Sequence, residues 1–321
     1  MKKNIFHSII ILIIIIFTIQ LDAQKNSNKY TLVLHGGAGG FASNTPDSIK
    51  NLYLNSLKEA LRIGEDILKN GGTSLDAVEK VINYLEDNHL FNAGRGAVFT
   101  REGRHELDAS IMNGKDLSSG AVAGVTVIKN PISLARLVME KTDNVLFAGK
   151  GADELGIKLG LPVVHNSYFH TEEQYKEFLM GSVKKYGGET VGCVAIDNYG
   201  NIVAGTSTGG RNYKLPGRVG DSPIIGAGNY ADNNTCGISA TGIGELFIKN
   251  SVAYNISALM KYKGYTLKQA CEEMMYKVLP TGAGGIIAVD KDGNYEMIFT
   301  TNAMFRGVVN SSGVFEVGIL K

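Results

Sequence analysis

The spacing of apolar positions changes along the chain, and each change marks a different kind of segment. Residues 9–17 form an unbroken apolar run behind Lys2 and Lys3, and the small Ala23 follows. A basic start, a short apolar core and a small residue read as a secretory signal peptide over residues 1–23. The run falls short of the roughly 20 residues that span a bilayer. A secreted or periplasmic protein with no stable membrane anchor after processing is therefore expected. Residues 30–34 give a short strand signal that runs into the glycines at 36–40. Leu52, Leu57, Ala60, Leu61, Ile63 and Leu68 then recur at helical spacing. Thr45 is the expected cap of this helix, Pro46 suits its first turn, and Asn70-Gly71-Gly72 stops it. Ser74 is expected to cap a second helix carrying Leu75, Val78, Val81, Ile82 and Leu85. A strand is expected over 122–128 and a helix over 133–141. Thr171 to Gln174 reads as a capping box opening another helix. The polar stretch 166–188 is the best linker candidate.

From residue 190 the period shortens to two. Strands are expected at 190–196 and 202–207, helices at 244–262 and 267–278. Strands at 285–289 and 295–300 flank the hairpin signal Lys291-Asp292-Gly293-Asn294, and 314–319 closes the pattern. Blocks of strands and helices imply layered α and β structure. The first hairpin allows a register to be worked out. A three-residue loop, Asn198-Tyr199-Gly200, places glycine at the left-handed position. Opposed residue numbers then add to 398, which sets Thr190 against Thr208. Their Cβ atoms would lie about 5 Å apart.

Composition narrows the class. Hydrophobic residues make up 44% and charged residues 20%, which describes a globular chain and excludes a disordered one. Basic and acidic side chains number 32 and 31, so no electrostatic footprint for nucleic acid exists. Cys193, Cys236 and Cys271 have no metal-ligand spacing and read as buried core residues, with one disulfide left open. Glycine accounts for 40 of 321 residues, well above the usual level of about 7%, and it gathers in clusters.

Those clusters surround the candidate chemistry. Thr206-Ser207-Thr208 ends in Gly209-Gly210, where only backbone can line the space. Arg218 and Asp221 stand three apart in a glycine-rich loop. They could grip a zwitterion, Arg on carboxylate and Asp on ammonium, or simply pair with each other. Residues 240–245 (Ala-Thr-Gly-Ile-Gly-Glu) lead into an apolar helix, either as an oxyanion site with the Thr241 hydroxyl or as a plain turn. The glycines after His35 lack the Lys-Ser/Thr of a phosphate-binding loop.

Taken together, LHGGAGG at 34–40, LFNAGRGAVFT at 90–100, HELDASIMNG at 105–114, TVGCVA at 190–195, TSTGG at 206–210, PGRVGDSPIIGAG at 216–228 and ATGIGE at 240–245 resemble the isoaspartyl peptidase, or plant-type asparaginase, family of N-terminal-nucleophile hydrolases. The resemblance implies an α+β fold, a four-layer αββα sandwich made as an inactive precursor. Cleavage between Glu189 and Thr190 would give an α chain, 24–189, and a β chain, 190–321. Thr190 would be the nucleophile and its own freed α-amino group the base, with a reference pKa of about 7.7–8.0. No histidine is needed.

The same resemblance makes Thr208 the hydroxyl partner of Thr190, with Thr241 and Gly242 as the oxyanion hole. Arg218 would hold the substrate α-carboxylate, and Asp221 with the Gly244 carbonyl its α-ammonium. The substrate would be a small amino acid or dipeptide carrying a β-aspartyl amide. Residues 85–95 resemble the family's sodium loop, which would give main-chain ligands at Leu85, Glu86, Asn88, Phe91, Ala93 and Arg95. That ion would be structural, with no cofactor in catalysis, and Asn92 would help position the active site. An (αβ)₂ assembly is implied. Glu189 departs from the family's common Gly, and resembles the acidic residue of glycosylasparaginases. Those enzymes, however, read TSTNG where this chain has TSTGG. Arg211 stands where Met is frequent and adds a charge near the pocket. Asn113 replaces a common Asp.

Overall fold

The computed structural model describes residues 29–180 and 190–321. The expected signal peptide, Glu189 and the end of the expected linker lie outside the described residues. Among the described residues, no helix is long and apolar enough to cross a membrane.

Two sheets stack face to face between two layers of helices. The larger sheet has the order β12-β11-β1-β5-β6-β2-β3-β4. Its strands are β1 (Thr31–Gly39), β2 (Leu107–Asn113), β3 (Ser119–Val125), β4 (Leu146–Ala148), β5 (Val191–Ile196), β6 (Ile202–Thr208), β11 (Ala303–Asn310) and β12 (Phe315–Leu320). All neighbours are antiparallel except β3 and β4. The smaller sheet, in the order β10-β9-β8-β7, uses β7 (Asn229–Ala231), β8 (Cys236–Gly242), β9 (Gly284–Asp290) and β10 (Tyr295–Phe299). Helices α1 (Asp47–Lys69), α2 (Ser74–Asp87) and α3 (Pro131–Lys141) pack on the larger sheet. Between α3 and β5 lie α4 (Gly149–Lys158) and α5 (Glu172–Met180). On the smaller sheet sit α6 (Gly244–Lys249), α7 (Val252–Lys263) and α8 (Leu267–Glu272), the last running into a π-turn, Glu273–Val278. This is the expected four-layer αββα arrangement.

Three apolar layers hold it together. Leu32 and Leu34 of β1 face Leu57 and Leu61 of α1 and Val78 and Ile82 of α2. Val33, between them, points the other way and joins Val194, Ala204, Ile287 and Val289 between the sheets. Alternate residues of one strand thus enter different cores, and both faces are apolar because both are covered. The third core places Ile238, Ala240 and Ile286 against Phe247, Ile256 and Met275.

The hairpin register holds. Val191 opposes Ser207 and Ile196 opposes Ile202, and Gly200 has φ +78°. Other boundaries shift. Strand β1 continues through the glycines to Gly39 with a bulge after His35; a side chain at Gly36 would strike the Phe91 ring. Thr45 does not cap α1: its hydroxyl donates to Ala42 O, and Pro46 holds the cap position. Thr73, not Ser74, caps α2, accepting from Asp76 N. The strand expected over 122–128 starts and stops three residues earlier, because Thr126 turns to donate twice to Asp153. The capping box is half made: Thr171 Oγ1 accepts from Gln174 N, while the Gln174 side chain donates to Gly96 O. The described part of the expected linker is packed structure, a 3-10 turn (Asn166–Phe169) followed by α5, with Phe169 and Gln174 buried. The helix expected over 244–262 breaks at Ser251, which has φ +43°. Cys193, Cys236 and Cys271 are free and buried, which closes the disulfide option.

Candidate active site

Thr190 immediately precedes β5, and Thr208 ends β6. Their hydroxyls meet in a buried contact, Thr190 Oγ1 donating to Thr208 Oγ1 at 3.2 Å. Thr208 Oγ1 also accepts from Gly210 N at 2.9 Å. The pair opens on a cavity of about 150 Å³ whose wall also includes Arg211, Arg218, Asp221 and Gly242. The structure therefore gathers residues as far apart in sequence as Asn92 and Ile243 around two hydroxyls.

Asn92 fixes the backbone behind Thr208. Its Nδ2 donates to Gly210 O at 2.6 Å, its Oδ1 accepts from Val98 N, and its carbonyl accepts from Gly209 N. Any side chain at Gly209 would strike Asn92 Oδ1 and Ala97. Thr241 is fully buried behind the cavity wall rather than in it. Its Oγ1 accepts from Ala38 N at 3.2 Å, which leaves its proton as a donor. Gly242 reaches the wall with φ +146°, where a side chain would run into the Ala283 carbonyl.

Arg218 and Asp221 do not form the loop salt bridge that their spacing allows. Arg218 Nε and Nη2 both donate to Glu245 Oε1, at 3.1 and 2.9 Å. Asp221 is buried against Gly244, where a Cβ would come within 2.7 Å of its Oδ1. Its Oδ2 has no hydrogen-bond partner among the described residues. Burial pushes the Asp221 carboxyl up to about 7, against the pull of its own backbone amide and of Arg218. A buried carboxylate with an open oxygen is a strong acceptor for a cation that enters without its water.

A histidine does lie beside Thr190. His35 is fully buried on β1, with Nδ1 3.2 Å from Thr190 O and Nε2 3.0 Å from Ser239 Oγ. Burial drives its pKa down to about 3, so the ring is neutral. A carbonyl can only accept, so the ring proton sits on Nδ1 and Nε2 accepts from Ser239. Ser239 Oγ also meets Thr206 Oγ1 at 2.6 Å, and Thr206 Oγ1 donates to Gly228 O at 3.1 Å. The chain Thr206, Ser239, His35, Thr190 thus crosses between the sheets. Gly192 makes room for it, since a Cβ there would strike both Ser239 Oγ and His35 Nε2.

Two further buried groups escape sequence reasoning. Glu86, at the end of α2, accepts from Ser207 Oγ at 2.7 Å and Ile132 N at 3.0 Å, and Asn130 Nδ2 donates to its other oxygen. Burial raises its carboxyl to about 8. Asp108 is the cross-strand neighbour of Thr208, with burial raising its pKa against the pull of Lys214. The buried Lys214 ammonium donates to Glu106 O at 2.8 Å. The sequence did show Glu245 and Asp108 inside the motifs ATGIGE and HELDASIMNG, but their partners are far away in sequence.

The loop from Leu85 to Arg95 turns on itself. Leu85 O accepts from Asn88 N, Glu86 O from Arg95 N, Asn88 O from Phe91 N and Phe91 O from Ala93 N. Each carbonyl keeps a second lone pair. Among the described residues no group of three or more His, Cys, Asp or Glu could hold a metal.

A family model described as Asparaginase matches residues 28–319. The chain is 43% identical over 298 residues to an isoaspartyl peptidase of Salmonella typhimurium, covering 87% of this chain and 95% of that protein. It is 42% identical over 295 residues to an isoaspartyl peptidase of Escherichia coli, covering 87% and 92%. An isoaspartyl peptidase/L-asparaginase of Xenopus laevis is 41% identical over 285 residues, covering 86% and 91%. With one match running almost from end to end and the paired threonines in place, the chain belongs to the asparaginase family.

Proposed function

We propose that the protein is an isoaspartyl peptidase and L-asparaginase, a self-cleaving threonine hydrolase of β-aspartyl side-chain amides. The observation that carries this reading is the Thr190–Thr208 hydroxyl contact on a cavity shared with Arg218 and Asp221. The names and coverage of the relatives support the same activity.

Maturation would begin with Thr190 Oγ1 attacking the Glu189 carbonyl carbon. The peptide nitrogen leaves as the Thr190 α-amino group, and water hydrolyses the resulting ester to a free carboxylate and hydroxyl. The chains would be 24–189 and 190–321, after loss of a signal peptide on export. The freed amine, with a reference pKa of about 7.7–8.0, then serves as base for its own hydroxyl. In turnover, Thr190 Oγ1 attacks the side-chain amide carbonyl. The leaving amine takes the proton, an acyl-enzyme remains on Thr190, and water releases aspartate. Thr208 supports the nucleophile, while Gly242 with the Thr241 hydroxyl would stabilise the oxyanion. Arg218 would hold the α-carboxylate and Asp221, with the Gly244 carbonyl, the α-ammonium. His35 would orient Thr190 through its carbonyl. The open lone pairs at Leu85, Glu86, Asn88 and Phe91, with Ala93 and Arg95, would suit a structural Na⁺. An (αβ)₂ assembly completes the reading.

The test combines a denaturing gel with an assay. Purified protein should give two bands, the smaller starting at Thr190, and should release aspartate from asparagine and isoaspartyl dipeptides. Thr190→Ala should give one band and no turnover. Efficient hydrolysis by Thr190→Ala, or an intact wild-type chain that is fully active, would overturn the mechanism.

A further inference from the structure

The charges on the cavity wall do not balance. The charged residues lining it are two cations, Arg211 and Arg218, and one anion, Asp221. Free asparagine carries one carboxylate and one ammonium. An isoaspartyl dipeptide carries one ammonium and two carboxylates, the second being the C-terminus of the amino acid that leaves. The wall complements the dipeptide.

Position separates the two cations. Arg218 and Asp221 come from one segment and bear on Glu245 and Gly244. Arg211 comes from the other, three residues beyond Thr208. The turn before it is pinned: Gly210 has φ +82°, its amide donates to Thr208 Oγ1, and its carbonyl accepts from Asn92 Nδ2. The backbone that aims Arg211 is therefore the backbone that holds the nucleophile's partner. Arg218 already spends two donors on Glu245. The Arg211 side chain is exposed and makes no ion pair among the described residues. Burial works against the Glu245 charge, yet its backbone amide and the Arg218 and Arg211 cations keep it below the usual carboxylate range, which places both guanidiniums within reach of one site.

We propose that Arg211 forms a leaving-group subsite, its guanidinium gripping the C-terminal carboxylate of an isoaspartyl dipeptide and favouring that class over free asparagine. This rests on the hydrolase reading above. A planar guanidinium suits a carboxylate because two parallel N–H donors meet two oxygens.

The experiment uses the matured two-chain enzyme, wild type and Arg211→Met, on three probes: isoaspartyl-alanine, its C-terminal amide, and asparagine. The ratio of kcat/KM for the dipeptide acid over asparagine should fall about tenfold in the variant, the scale of one charge-assisted hydrogen bond. The ratio for the dipeptide amide over asparagine should not move. Arg211→Lys should restore part of the preference for the acid. The subsite is overturned if the acid and the amide shift together, or if neither shifts. If the wild-type enzyme turns over none of the probes, the hydrolase reading itself has failed. Turnover of all three with an unmoved acid ratio removes the subsite alone.

Discussion

In the proposed role Asp221 would bind an ammonium only when ionised, and its burial makes ionisation difficult. With its carboxyl pushed up to about 7 in the free protein, it is partly protonated near neutrality. A bound ammonium supplies the missing opposite charge and lowers that pKa in the complex. The sign follows: as pH drops below about 7, kcat/KM should fall more steeply than kcat, because the proposed Thr190 amine base protonates in free enzyme and complex alike whereas Asp221 is held ionised in the complex. Initial rates across the pH range with an isoaspartyl dipeptide separate the two. A kcat/KM that stays flat from about pH 6 to pH 8 would remove Asp221 from ammonium binding. The spacing of Arg218 and Asp221 was legible because both lie in one loop and line one cavity. The grip of Glu245 on Arg218 was not, since it joins residues 27 apart. His35 was hidden for the same reason: it is 155 residues from the carbonyl it touches.

Element boundaries followed the sequence where local chemistry decides and slipped where tertiary partners do. The β5–β6 register was readable because a three-residue turn fixes it by geometry. The structure adds an anchor for that turn. Asp197 Oδ1 accepts from Tyr199 N and Asn201 N, while its Oδ2 accepts from Ser74 N and Ser74 Oγ. Ser74 is drawn away from capping by this carboxylate, and Thr73 takes its place. Strand β2 was not read, because Asp108 and Ser110 interrupt its apolar residues; it is nonetheless buried on both faces between β6 and β3. Thr73→Ala should cost about 1 kcal/mol, the usual loss of a helix cap. Ser74→Ala should act differently, removing one of the two donors to Asp197 Oδ2 and leaving the cap bond intact. Urea midpoints of the two single variants and the double variant check this. Nearly additive losses are expected from two separate interactions, and a neutral Thr73→Ala would mean that the cap does not matter to α2.

At the scale of the molecule, the proposed cleavage cuts a chain whose halves are interleaved. In the larger sheet, β1 of the first half lies between β11 and β5 of the second, and β2 of the first pairs with β6 of the second. Three backbone ladders therefore join the two chains side by side. The helix layer repeats the pattern, since α2 of the first half packs on β5 and β6 of the second. Separating the halves would break the ladders on both edges of β1 and uncover its Val33 face, which meets the smaller sheet. Every one of those backbone groups would lose a partner. Cleavage at the single Glu189–Thr190 bond should thus leave the fold and the Thr190 site intact. The cleaved protein should elute from a sizing column as one species containing both chains in equal amounts, and part only under denaturant. Its unfolding in urea should remain a single transition sensed alike by circular dichroism and tyrosine fluorescence. Elution of a separate first half without denaturant would contradict the interleaved sheet, whatever the activity of the second.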